Sequence, residues 1–172
     1  MVEIIDNFLE ESQFEALEQV MMYPHIPWQY QNRIDTEVED GTRFMFCHRF
    51  YQTPQGASSG FLDMLGSTIN KIDPLSLYRI KANLLTRTST IIENEFHVDM
   101  GNISEEKLKQ WTTSIFYVNT NNGYTEFEDG TKIDSVANRL VTFSTNLKHR
   151  GTTCTDQKKR VVIIFNYFSR YS

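Results

Sequence analysis

From residue 77 to residue 168 the chain is a succession of short β-branched and aromatic runs separated by turn residues, and that pattern restricts the fold more than any other feature. Strands are expected at 78–86, 91–99, 111–119, 124–127, 132–134, 139–143, 147–149 and 160–168. Asn121-Asn122-Gly123 and Asp129-Gly130 supply turns. The earlier part differs. Phe14, Leu17, Val20 and Met21 recur at helical spacing, so 12–22 is expected to be an amphipathic helix. Ser12 would cap it, Glu15 would complete a capping box, and Pro24 and Pro27 would end it. Phe61, Leu62, Leu65 and Ile69 predict a second helix over 61–71, broken at Asp73-Pro74. Residues 2–9 read as a short strand and lead-in, 28–41 as irregular, 42–51 as an aromatic strand, 52–60 as a loop and 100–110 as polar with a helical turn. Helices followed by many short strands predict an antiparallel barrel or double-sheet jelly roll flanked by helices. The 172 residues suit one domain, with helical support over 12–71 and a β core over 77–168.

Composition narrows the function. The net charge is −5 and no lysine/arginine cluster forms a stripe, which argues against nucleic acid as partner. No apolar run is long enough to span a membrane. Glu3, Asp6 and Glu10 spoil the basic-then-apolar layout of a signal peptide. Cys47 and Cys154 lack metal-site or redox spacing and read as free thiols in a reducing compartment, so the expected location is the cytoplasm.

His97-Val98-Asp99 carries the chemistry. In a strand, residues i and i+2 face the same way, so imidazole and carboxylate would converge. His149 is a third ligand type in an apolar strand context, and Arg160 opens the apolar run Val161-Val162-Ile163-Ile164-Phe165 eleven residues later. Two histidines and one carboxylate on one face of a metal leave open positions on the other, the arrangement of non-haem Fe(II) oxygenases; zinc suits the same ligand types. A lone His-x-Asp is weak evidence, more often a surface pair or a satisfied core histidine. A guanidinium beside an apolar strand needs a carboxylate partner or a route to solvent. Elsewhere, His25 reads as a loop residue. Cys47-His48 cannot chelate, since neighbouring strand residues face opposite sides. Asp129 and Asp134 read as turn residues, and Lys148, Arg150, Lys158 and Lys159 as a solvated rim or an attractor for an anionic substrate. Tyr30, Phe44, Phe46, Phe50 and Tyr51 read as core or as a substrate mouth.

Over 78–168 the sequence resembles the Fe(II)- and 2-oxoglutarate-dependent oxygenases, in the prolyl-4-hydroxylase-like branch that includes short bacterial and phage versions. The resemblance is carried by Tyr78-Arg79-Ile80-Lys81-Ala82-Asn83-Leu84, His97-Val98-Asp99 and Ser114-Ile115-Phe116-Tyr117-Val118-Asn119. It continues through Gly123-Tyr124-Thr125-Glu126-Phe127, Asn138-Arg139-Leu140-Val141-Thr142-Phe143, His149-Arg150-Gly151 and the run from Arg160 to Phe168. It implies a double-stranded β-helix core. It also implies iron on His97, Asp99 and His149, Arg160 on the distal carboxylate of 2-oxoglutarate, and Tyr117 and Thr125 bonded to that carboxylate. Asn122 and Asn138 stand where relatives have glycine, Ser135 where they have proline, and Leu84 where many have a co-substrate tyrosine. Arginine replaces the lysine usual in collagen-type enzymes at position 160. These departures bear on the subfamily and its substrate.

The implied activity is hydroxylation of a C–H bond, of a prolyl or other side chain in a peptide or protein. Dioxygen is consumed, succinate and carbon dioxide are co-products, and ascorbate is a candidate stimulant. Two alternatives stay open: the same chemistry on a free amino acid or small metabolite, and a non-catalytic, metal-holding jelly-roll binding domain. A pocket closed by loops 36–41 and 52–60 would favour a small molecule, and an open groove a peptide.

Overall fold

The computed structural model describes residues 2–32, 34, 43–101 and 103–170. Among them the elements run β1 (Glu3–Ile5), α1 (Glu11–Met22), β2 (Gln29–Gln31), β3 (Met45–Gln52), β4 (Gly56–Ala57), a 3-10 turn (Leu62–Leu65), α2 (Gly66–Ile72) and β5 (Pro74–Thr86). They continue with α3 (Glu105–Leu108), β6 (Thr112–Tyr117), β7 (Tyr124–Phe127), β8 (Lys132–Asp134), β9 (Arg139–Ser144), β10 (His149–Gly151) and β11 (Lys159–Ser169). A major sheet has the order β1-β9-β6-β11-β5-β3-β2, with β4 on β3, and a minor sheet the order β10-β7-β8. This is the expected jelly roll, with α1 and α2 packed on the outer face of the major sheet.

Alternation along β11 explains both layers. Val161, Ile163 and Phe165 face outward and pack with Leu17 and Met21 of α1, Leu65, Ile80 and Phe116. Val162 and Ile164 face inward and pack with Ile115, Tyr117, Phe127, Val141 and Phe143 between the sheets. A strand buried on both faces has to be apolar throughout, which is why its sequence shows no period-two pattern. Arg160 and Asn166 share the inward parity of Val162 and Ile164, and both are buried.

Several expectations need correction. Helix α1 starts at Glu11 after an extended Glu10, whose carbonyl accepts the Phe14 N–H at 2.9 Å; Ser12 lies inside the helix and no side-chain cap forms. The second helix is a 3-10 turn followed by α2, ended by Asp73 in the left-handed region at φ 49° before Pro74 opens β5. The 91–99 segment is not a regular strand: only isolated bridges, Glu93 to Thr152 and His97 to His149, tie it to the minor sheet side. The strand expected at 147–149 begins at His149, because Leu147 closes a turn onto the Ser144 carbonyl at 3.0 Å. Strands β2 and β4, each paired to β3, occupy stretches read as irregular.

Asn138 has φ 61°, a backbone state that glycine and asparagine tolerate best. Its carboxamide clasps Leu9, accepting from the backbone N–H at 2.8 Å and donating to the carbonyl at 2.9 Å. That accounts for the residue at a position where the resemblance expects glycine. Cys47 and Cys154 are buried free thiols. No described helix is long and apolar enough to cross a membrane.

Candidate active site

The inner face of the roll gathers the polar groups. His97 and His149 exchange backbone hydrogen bonds, both at 3.0 Å, which brings their rings to a centroid separation of 4.8 Å. That bridge joins the two histidines, whereas the convergence of His97 and Asp99 expected from strand periodicity has no regular strand behind it. Each imidazole has its Nδ1 bonded to a carbonyl two residues earlier, Glu95 O at 3.2 Å and Leu147 O at 3.1 Å. Nδ1–H donating to a carbonyl leaves the Nε2 lone pair as the ligand atom. Those Nε2 atoms lie 3.9 and 4.0 Å from the two carboxylate oxygens of Asp99. Ligand atoms of all three residues fall within 4.8 Å of one another.

Asp99 is buried, with its side chain 4 % exposed. Burial pushes its carboxyl pKa up, but the charges of His149, Arg79 and His97 and the Asn166 hydrogen bond outweigh that and hold it at about 2. The carboxylate is therefore ionised at neutral pH. Two imidazoles and an ionised carboxylate, converging beside a partly closed cavity, suit a divalent transition metal.

Arg160 is 4 % exposed. Its Nε donates to Ser135 Oγ at 2.8 Å and its Nη2 to Thr125 Oγ1 at 3.1 Å. Tyr117, fully buried, donates to the same Thr125 oxygen at 2.7 Å, and its ring lies 5.6 Å from the guanidinium carbon. Burial raises the phenol pKa, so Tyr117 stays protonated. No carboxylate pairs with Arg160 among the described residues. Gly123 and Gly151 make room for it: a Cβ on Gly123 would come within 2.8 Å of Arg160 Cδ, and one on Gly151 within 3.3 Å of Nη1.

One cavity is lined by His97, His149, Thr125 and Arg160, with Ile115, Val162, Ile164 and Leu85 as apolar wall. Tyr117 stands behind Thr125 and is not part of that lining. Leu84 packs outward in the helix-side core, so the cavity-facing residues of β5 are Asn83 and Leu85. Two polar groups the sequence reading passed over also line it. Asn94 is 3 % exposed, and its Oδ1, like that of Asn83, has no hydrogen-bond partner among the described residues. Arg79 and Asn166, also passed over, hold Asp99. A fully buried asparagine in an otherwise apolar strand was the available signal for Asn166.

Other candidates have structural duties. His48 bridges Pro27 O at 2.8 Å and Ser59 Oγ at 2.7 Å. Arg150 pairs with Glu126 at 2.6 Å and Glu93 at 2.5 Å, and Lys159 donates to Met22 O at 2.7 Å. Phe46, Phe50 and Tyr51 belong to the helix-side core, while Tyr30 and Phe44 form an exposed aromatic cluster with Phe46 on that outer face. Loop 36–41 lies outside the described residues.

No protein-family model matches the chain. No curated protein sequence matches it either. Solved structures do. A prolyl hydroxylase from Trichoplax adhaerens, in complex with a hypoxia inducible factor oxygen degradation domain peptide fragment, aligns with TM-score 0.68 over 98 % of this chain and 83 % of that one, at 16 % identity. A 2OG-Fe(II) oxygenase family oxidoreductase from Burkholderia pseudomallei aligns with TM-score 0.67 over 99 % and 86 %, at 11 % identity. The non-haem alpha ketoglutarate dependent epimerase SnoN of nogalamycin biosynthesis aligns with TM-score 0.64 over 98 % and 78 %, at 10 % identity. The chain has the fold of the 2-oxoglutarate/Fe(II) oxygenases.

Proposed function

We propose that the chain is a single Fe(II)- and 2-oxoglutarate-dependent dioxygenase domain that hydroxylates a C–H bond of a peptide or protein side chain. The observation that carries this reading is one cavity lined both by the His97/His149 pair facing Asp99 and by a buried guanidinium without a carboxylate. His97, Asp99 and His149 would hold the metal. Iron held there would activate dioxygen, the oxidant, one oxygen atom going to succinate as 2-oxoglutarate loses carbon dioxide and the other to the hydroxylated product. Arg160 would bind the distal carboxylate through the N–H groups that Ser135 and Thr125 leave over. Thr125 Oγ1 already accepts from Tyr117 and Arg160, so its own proton is left to point into the cavity toward the same carboxylate. Ile115, Leu85, Val162 and Ile164 exclude water from the space between.

The prime substrate is approached through Asn83 and Asn94. Their Oδ1 atoms have no partner among the described residues and a 2-oxoglutarate dianion offers acceptors only, so a donor on another ligand would satisfy them once a side-chain rotation brings them to the cavity. Peptide amides provide such donors, and the Trichoplax prolyl hydroxylase is a peptide-bound example of the fold. The same donors occur on amino acids and hydroxylated metabolites, and SnoN is an epimerase of a biosynthetic pathway; a small-molecule substrate is the second reading. The two buried free thiols support a reducing compartment such as the cytoplasm.

The test is succinate release from purified protein given Fe(II), 2-oxoglutarate and oxygen, with and without peptide pools. Turnover that disappears in His97→Ala supports the reading. Metal and 2-oxoglutarate binding without any succinate would instead support a binding domain.

A further inference from the structure

The segment bearing His97 and Asp99 is irregular, so periodicity does not aim the Asp99 carboxylate. Tertiary contacts do. Arg79 Nη2 donates to the Asp99 main-chain carbonyl at 2.8 Å and lies 3.7 Å from Oδ1. Arg79 Nε donates to Asn166 Oδ1 at 3.0 Å. Asn166 Nδ2 in turn donates to Asp99 Oδ2 at 3.2 Å and to Thr113 Oγ1 at 3.1 Å. The three side chains form a closed ring across β5, β11 and the loop after His97. Asn166 is fully buried and Asp99 nearly so, while the Arg79 side chain is 19 % exposed. Arg79 and Asn166 are register partners on the adjacent strands β5 and β11, so the ring is anchored on the major sheet, next to the register shift between Asn166 and Tyr167.

We propose that Arg79 is a positioning residue for the metal centre: with Asn166 it fixes the rotamer of Asp99 so that the carboxylate faces the two Nε2 atoms before the metal arrives. This rests on the reading of His97, Asp99 and His149 as metal ligands. Two effects of Arg79 oppose each other. Its charge repels a divalent cation, whereas its fork orders the carboxylate and removes the entropic cost of doing so on binding. Outer-sphere partners of metal ligands typically contribute about 10–100-fold in affinity, and the ordering effect is the one expected to win.

The experiment is anaerobic Co(II) titration of the full chain, followed by the visible d–d absorption, for wild type, Arg79→Ala, Arg79→Lys and His97→Ala. The apo thermal midpoint of each is measured in parallel. Arg79→Ala is expected to weaken Co(II) binding by about 10–100-fold and to change the band shape, with an apo midpoint near that of wild type. Arg79→Lys, which keeps the charge but not the fork, is expected to fall between. Equal or tighter binding by Arg79→Ala would overturn the proposal, and so would a loss explained by a lowered apo midpoint. Wild-type binding that is insensitive to His97→Ala would instead remove the ligand reading itself, so the two failures are distinguishable.

Discussion

Arg160→Met separates a functional guanidinium from a structural one, because the two roles predict opposite signs. The arginine stem passes over Gly123, and methionine can follow much of the same path without the charged head. In the apo protein the buried charge has two hydroxyl acceptors and an aromatic ring but no carboxylate among the described residues, so its desolvation is incompletely offset. Replacing a buried charge by an apolar side chain of similar shape is commonly neutral or stabilising, by up to about 4 kcal/mol. Ser135 and Thr125 lose a donor each, which costs about 1 kcal/mol apiece at most, since hydroxyls can reorient. The expected apo stability is therefore within about 1–2 kcal/mol of wild type or above it. Ligand binding should move the other way. Removing one partner of a desolvated charge pair costs about 2–5 kcal/mol, which is about 30- to 4,000-fold in Kd for 2-oxoglutarate. The assay is calorimetric titration of 2-oxoglutarate into Co(II)-loaded protein without oxygen, with denaturant unfolding of the apo protein alongside. An Arg160→Met protein that binds 2-oxoglutarate like wild type, or unfolds several kcal/mol early, would refute the reasoning.

Three further outcomes are expected. Gly123→Ala would place a Cβ 2.7 Å from the Thr153 carbonyl and 2.8 Å from Arg160 Cδ, so it should cost about 1–3 kcal/mol in urea unfolding and weaken 2-oxoglutarate binding as Arg160 shifts. Asn138→Ala loses both bonds to Leu9 at a left-handed position and should destabilise by about 2–3 kcal/mol, with Asn138→Gly, free of the backbone strain, less affected in thermal melts. Asp99, held at about 2 against an ordinary 3.8, contributes about 2 kcal/mol to apo stability. Its folded pKa is the lower one, so this contribution is complete above pH about 4 and disappears as pH falls through about 2. Comparing acid unfolding of wild type and Asp99→Asn should show that difference, and equal pH slopes in that window would contradict it.

The mainly β architecture and the chemical type of the candidate ligand set follow from residue order. Short β-branched runs between turn residues can bury their apolar faces only by pairing into sheets, whereas the side to which Arg160 points is set by the two layers that cover β11. His97, Asp99, His149 and Arg160 stand out because their side chains are costly to bury without a purpose. The route by which they meet is not legible in the same way. Ile91 to Asp99 has strand-like composition, yet its backbone bonds go to Gly151, Thr153 and His149 at isolated points, so no ladder forms. Propensity is local, whereas that pairing depends on where a segment some fifty residues later comes to rest. The same holds for Arg79 and Asn166 around Asp99, for Tyr117 acting behind Thr125, and for Leu84 turning outward while Asn83 faces the cavity. Sequence set which groups would need partners. Only the tertiary structure decided which partners they received, because hydrogen bonds and packing act over a few ångströms between residues that the chain holds far apart.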